Sequence, residues 1–67
     1  MYQPGDKVIV LKSARSMGFR GYLGLYTIEK AELLARGEGQ RLYLKDTYFI
    51  CHDCHVRKAT WLERVLL

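Results

Sequence analysis

The sequence predicts a mainly β fold, a small five-stranded barrel with a 3₁₀ turn before its last strand. Three observations carry that reading. Short runs rich in Val, Ile, Tyr and Phe recur at strand length, each bounded by Gly, Pro or Asp. At 67 residues the chain has room for one domain, residues 1–67, and not for a large active-site cleft. Its 49% hydrophobic and 12% aromatic residues suffice for a packed core and argue against disorder.

Each element follows in turn. Pro4-Gly5-Asp6 marks a turn, and Lys7-Val8-Ile9-Val10-Leu11-Lys12 after it is apolar and β-branched over strand length. Ser13 to Gly24 carries Gly18, Gly21 and Gly24 among Arg15, Met17, Phe19, Arg20 and Tyr22, the composition of a long, basic, irregular loop with positive-φ positions. Leu25-Tyr26-Thr27-Ile28 is strand-like, while Glu29 to Arg36 holds helix formers that Thr27 and Gly37 could cap. Because strand-like runs flank the segment and Gly37-Glu38-Gly39-Gln40 suits a hairpin connection, one long bent strand over Tyr22–Leu34 is the preferred reading. Arg41-Leu42-Tyr43-Leu44-Lys45 is the returning strand, Asp46-Thr47 a tight turn, and Tyr48-Phe49-Ile50-Cys51 the fourth strand. Ala59 to Glu63 reads as a helical or 3₁₀ turn with Trp61 and Leu62 in the core, and Arg64 to Leu67 as the closing strand.

This order of strand, long loop, long strand, hairpin, strand, tight turn, strand, 3₁₀ turn and short strand resembles the layout of SH3-like small barrels along nearly the whole chain. Gly5-Asp6-Lys7-Val8-Ile9-Val10, the three loop glycines and Tyr26-Thr27-Ile28-Glu29 are similar to the KOW motif of ribosomal and transcription-elongation proteins. The insertion Lys12 to Met17 is longer and more basic than a typical KOW loop. The ending Ala59 to Val65 is similar to the last turn and strand of several barrels of this class, including plasmid-type dihydrofolate reductases, whose substrate-binding core motif is not evident here.

Eleven Lys and Arg against seven Asp and Glu give a net charge of +4, compatible with a polyanionic partner. The longest apolar runs fall far short of the roughly 20 residues a membrane helix needs. The N-terminal residues lack the charged and apolar regions of a secretory signal, so a cytoplasmic location with reduced thiols is expected.

Both cysteines and both histidines fall in Cys51-His52-Asp53-Cys54-His55. A C-x-x-C pair with adjacent histidines is half a zinc site, a redox pair or, with His55, a haem attachment spacing. Redox use wants the pair at a helix N-terminus, and this one follows a strand. Covalent haem wants a second axial ligand and a pocket that the strand-rich pattern does not suggest. Zinc wants a second ligand pair, so Cys51, Cys54, His55 and His52 form a conditional metal set that needs a carboxylate, water or second subunit to complete it. Without it Cys51 is a core thiol and the histidines are surface residues.

No phosphate loop, paired catalytic carboxylates or serine-centred elbow is present, so no enzymatic activity is expected. The remaining constellation is basic residues interleaved with aromatics: Lys12, Arg15, Phe19 and Arg20 around the first loop, and Tyr43, Lys45, Arg57 and Lys58 on or after later strands. In an SH3-like barrel these groups would converge into a face that offers cations to phosphates and rings to bases. The expectation is a non-catalytic binding module for RNA, DNA or a nucleoprotein machine such as the ribosome or RNA polymerase, with no small-molecule substrate. The alternatives are a phage- or plasmid-type regulatory module docking on a host protein, and a small zinc-stabilised domain.

Overall fold

The computed structural model describes residues 1–66. Five antiparallel strands, β1 (Lys7–Val10), β2 (Leu25–Leu33), β3 (Gln40–Leu44), β4 (Ile50–His52) and β5 (Val56–Lys58), form one sheet in the order β4-β3-β2-β1-β5. 3₁₀ helices occupy Lys12–Met17, Ala35–Gly37 and Asp53–His55, and one α-helix, α1 (Trp61–Leu66), follows β5.

The mainly β class and the long second strand agree with the sequence reading, and three elements differ from it. Arg64, Val65 and Leu66 continue α1 rather than forming a closing strand, and Val56–Lys58 supplies the fifth strand instead; Leu67 lies outside the described residues. The 3₁₀ turn before the last strand is accordingly Asp53–His55, not Ala59 to Glu63. The first loop opens with a 3₁₀ helix closed by Gly18 at φ 91°, while Gly21 and Gly24 do not have positive φ. Gly21 is instead a close-approach position, because a Cβ there would lie 2.7 Å from the Phe49 ring and 2.9 Å from that of Phe19.

The sheet is not a closed barrel, since β4 and β5 are its two edges. It must nevertheless curl. Flat, five strands would hold those edges about 19 Å apart at roughly 4.8 Å per spacing. A 3₁₀ turn rises only about 2 Å per residue, and the three residues Asp53–His55 alone join β4 to β5.

Curvature is also written into β2. The register pairs Ile28 with Leu44 and then Lys30 with Tyr43, so Glu29 is an extra residue, a bulge that bends the strand and increases its twist. Upstream, Tyr26 and Ile28 face the core; downstream, Ala31 packs against it and Lys30 points out. Val8 and Val10 of β1, Leu42 and Leu44 of β3, Cys51 of β4 and Val56 of β5 complete the core with Ala14 and Phe19 from the first loop. The Phe19 ring centroid lies 4.9 Å from that of Phe49 and 6.1 Å, edge on, from that of Tyr26.

Gln40 is the one buried polar side chain among the described residues, and both ends of its amide are bonded. Its Oε1 accepts from the Tyr2 N–H at 2.8 Å and its Nε2 donates to the Tyr2 carbonyl at 2.9 Å, which seats the N-terminal segment on β3.

Candidate functional site

The Cys51 to His55 segment is split by the fold. Cys51 lies in β4 opposite Leu42 and faces the core, whereas Cys54 is exposed in the following 3₁₀ turn. Among the described residues no three His, Cys, Asp or Glu side chains are grouped so as to hold a metal ion. Burial, with a smaller contribution from the nearby Cys54, pushes the Cys51 thiol above its ordinary pKa. That is the opposite of what a reactive thiolate requires.

The segment works instead as a clamp. His52 Nε2 lies 2.7 Å from the Glu38 carbonyl, and its Nδ1 accepts from the Cys54 N–H at 3.1 Å, capping the 3₁₀ turn. Asp53 turns its own carbonyl into that turn, where it accepts from the Val56 N–H, and uses Oδ2 to accept from the Gln40 N–H at 3.1 Å. A side-chain carboxylate thus takes the place of a backbone rung where β4 peels away from β3. The Ser13 hydroxyl and His55 Nδ1, 2.9 Å apart, tie the first loop to the same turn.

The expected basic and aromatic face is only partly assembled. Phe19 is 6% exposed and belongs to the core, which removes it as a stacking platform. Tyr43 is half-buried in a network on the outer face of the sheet. Its hydroxyl donates to Glu32 Oε1 at 2.6 Å, Lys30 Nζ sits 5.3 Å from its ring centre, and Arg41 and Lys30 flank the same carboxylate at 3.6 and 3.4 Å. The Tyr43 hydrogen bond is the main reason the Glu32 carboxyl is held below its usual pKa. Arg57 is committed to Glu63 by two parallel bonds of 2.7 and 2.6 Å. Arg15 donates to the Phe19 carbonyl at 3.0 Å and folds back on its own loop. Lys12, Arg20, Lys45 and Lys58 are exposed and make no ion pair among the described residues.

The sequence reading placed a helical or 3₁₀ turn at Ala59 to Glu63 but missed its continuation as α1 to Leu66. Thr60 and Glu63 form a capping box: Thr60 Oγ1 accepts from the Glu63 N–H at 3.2 Å, and Glu63 Oε1 accepts from the Thr60 N–H at 2.7 Å. The Thr-x-x-Glu spacing before an apolar run was the available signal. The same carboxylate holds Arg57, and with that guanidinium as the leading cause its pKa falls to about 2. Trp61 and Leu62 are exposed, contrary to their expected place in the core.

A groove of about 280 Å³ lies between the first 3₁₀ helix and β4, lined by Ala14, Met17, Arg41, Ile50, Cys51 and His52 together with Leu34 and His55. Among the described residues no helix is long and apolar enough to cross a membrane. No protein-family model, curated protein or solved structure matches this chain.

Proposed function

We propose that the chain is a non-catalytic binding module that docks on a protein partner through α1. The observation that carries this reading is that α1 is inside out. A helix on the surface of a small domain ordinarily turns its apolar stripe to the core and its charges to water. Here no residue of α1 is buried, and Trp61, Leu62, Val65 and Leu66 are 64%, 58%, 61% and 76% exposed. At about 100° per residue these four share one face, while Glu63 lies on the opposite side and grips Arg57 of β5. The helix is attached to the domain by its polar face and shows its apolar face to solvent, the presentation by which a short helix enters a partner's apolar groove. The strand order and the 3₁₀ turn before β5 support reading the fold as an open, SH3-like barrel that serves as a scaffold for this helix.

The test places a photoreactive p-benzoylphenylalanine at Leu62 and, as control, at Lys45. A discrete protein adduct formed from position 62 alone, resistant to nuclease and high salt and lost in a Trp61→Ala/Val65→Ala variant of unchanged melting temperature, supports the reading. Absence of such an adduct refutes it.

A second reading, contact with RNA or DNA, is favoured by Lys12, Arg20, Lys45 and Lys58, which the fold leaves exposed and without ion-pair partners among the described residues. Its signature is binding that falls steeply with salt.

A further inference from the structure

We infer that the groove between Tyr22 and Lys45 seats one nucleotide of a single-stranded nucleic acid, its base stacked on the Tyr22 ring. The inference rests on the second reading above, contact with RNA or DNA, and its surface takes no residue from α1.

Tyr22 is an exposed aromatic ring that the fold holds in place. It is 65% exposed, yet its hydroxyl donates to the Leu25 carbonyl at 2.9 Å and its own carbonyl accepts from the Tyr26 hydroxyl at 3.0 Å. The ring lies against Gly24, where a Cβ would overlap it, and its centroid is 5.0 Å from that of Tyr26 with the planes tilted by 30°. Gly24 is itself fixed to β1, because its carbonyl accepts from the Val10 N–H. Contacts on both faces would not leave Tyr22 65% exposed, so one face of the ring is open to solvent. A base that stacks on a ring already immobilised forfeits little side-chain entropy.

Positive charge without a carboxylate partner stands beside the ring. The groove, of about 300 Å³, runs from Tyr22 and Leu25 past Thr27 to Lys45 and Asp46. The Lys45 N–H donates to the Thr27 carbonyl, and Thr27 pairs with Lys7 in the β1–β2 register, so Lys7, Thr27 and Lys45 form one row across the sheet. Their chain neighbours Val8, Ile28 and Leu44 face the core, which turns the row outward. Among the described residues neither Lys7 nor Lys45 makes an ion pair, and the Lys7 ammonium donates to the Thr27 hydroxyl.

Three kinds of group in and beside this groove match the three parts of a nucleotide. The ring takes the base, and Lys45 takes the phosphate, with Lys7 one step along the row for the next phosphate. Asp46 carries the one carboxylate of the lining and accepts from a ribose hydroxyl or from the N–H groups of a base edge. That carboxylate also argues against an acidic peptide, because a segment acidic enough to engage both lysines brings further carboxylates against Asp46. A duplex fits no better, since its bases stack on one another and present no free face to the ring.

The probes are one mixed-sequence strand of twelve nucleotides, labelled with fluorescein and offered as RNA, as DNA and as the DNA duplex. Fluorescence anisotropy should show a single strand bound at least fivefold more tightly than the duplex, and the RNA and DNA arms identify which strand is preferred. Tyr22→Leu keeps an apolar cover over Gly24 and should weaken single-strand binding by at least about fivefold, the loss of one stacked base. Tyr22→Phe should retain most of the affinity and Trp61→Ala all of it. Lys45→Gln should lower the slope of log affinity against log salt by about 0.7, one phosphate contact to a single strand. In the unaltered protein the Tyr22 ring-proton resonances should move upfield as the strand is added, which a base lying on the ring produces and a purely structural role does not. Equal binding of the duplex, a Tyr22 ring signal that does not move, a Tyr22→Leu variant of unchanged melting temperature that binds as tightly, or polyglutamate of equal charge that competes as well as the strand would each overturn the inference. Single-strand binding that survives Tyr22→Leu and disappears when Lys12, Arg20 and Lys58 are neutralised would remove this site while leaving nucleic-acid contact standing. Absence of salt-dependent binding to any of the three probes would remove both.

Discussion

Replacing each cysteine in turn by serine separates the fold's account of the Cys51 to His55 segment from a chemical one. Cys51 is 5% exposed among core residues, so Cys51→Ser buries a hydroxyl where a thiol packed, at a cost of about 1–3 kcal/mol. Cys54 is exposed, and its replacement should stay within about 0.5 kcal/mol. A domain of 67 residues has roughly 3–10 kcal/mol of stability in total, so the first change removes a substantial share of it. At about 4–8 °C per kcal/mol for so small a domain, a central cost of about 2 kcal/mol lowers Tm by about 8–16 °C, against no more than about 4 °C for Cys54→Ser. Thermal unfolding followed by circular dichroism under reducing conditions, with and without a chelator, measures both. Equal losses at the two positions, or a chelator that reproduces either of them, would refute the reasoning, because cooperating thiols fail together whereas a core residue and a surface residue do not.

The other expectations concern the clamp, the helix and the charges. Gly39→Ala should destabilise by about 1–2 kcal/mol in urea unfolding, since φ there is 99° and a Cβ would lie 2.6 Å from Asp53 Oδ1; a neutral result would show that the clamp yields freely. Glu63 is held below its ordinary value of 4.5, at about 2, so the attachment of α1 is fully present above about pH 4.5 and is lost as pH falls through about 2. Trp61 fluorescence and far-ultraviolet circular dichroism should report that loss, and Glu63→Gln should abolish this acid step. Neutralising Lys12, Arg20, Lys45 and Lys58 together should leave capture of a protein partner intact and flatten any salt-dependent RNA or DNA binding, measured as the slope of log affinity against log salt. If partner capture disappears instead, the docking surface lies on the cations rather than on α1.

The strands were legible because their signal is local. Val8 and Val10, or Leu42 and Leu44, alternate inward over a few residues, and alternation of that kind needs no knowledge of the rest of the chain. The site was less legible, for a physical reason that Phe19 and Trp61 show from opposite sides. Both are large, aromatic and close to basic residues, and their sequence surroundings do not tell them apart. Phe19 is drawn inward by Phe49 and Tyr26, partners supplied by other elements. Trp61 is held outward because Glu63, two residues on, pairs with Arg57 and turns the other side of the helix to the domain. The fate of an aromatic side chain was thus decided by an ion pair it does not join. The closing strand was misplaced for a related reason. Val65 and Leu66 favour a strand taken alone, but the capping box begun at Thr60 carries the helix through them.

The bulge at Glu29 gives β2 a parity. Before it Tyr26 and Ile28 count inward on even numbers and after it Ala31 does so on an odd one, so the strand has two reading phases joined at a single position. Substitution at the exposed Glu29 should pass almost unnoticed, and deletion of the same residue would leave Lys30 opposite Tyr43 and Ala31 opposite Leu42, each on its present face, while removing the bulge and the bend and twist it gives β2. In an insertion and deletion scan, loss of residue 29 should therefore keep the β2–β3 pairing and cost curvature alone, whereas loss of Ala31 would put Glu32 opposite Leu42, in the inward place.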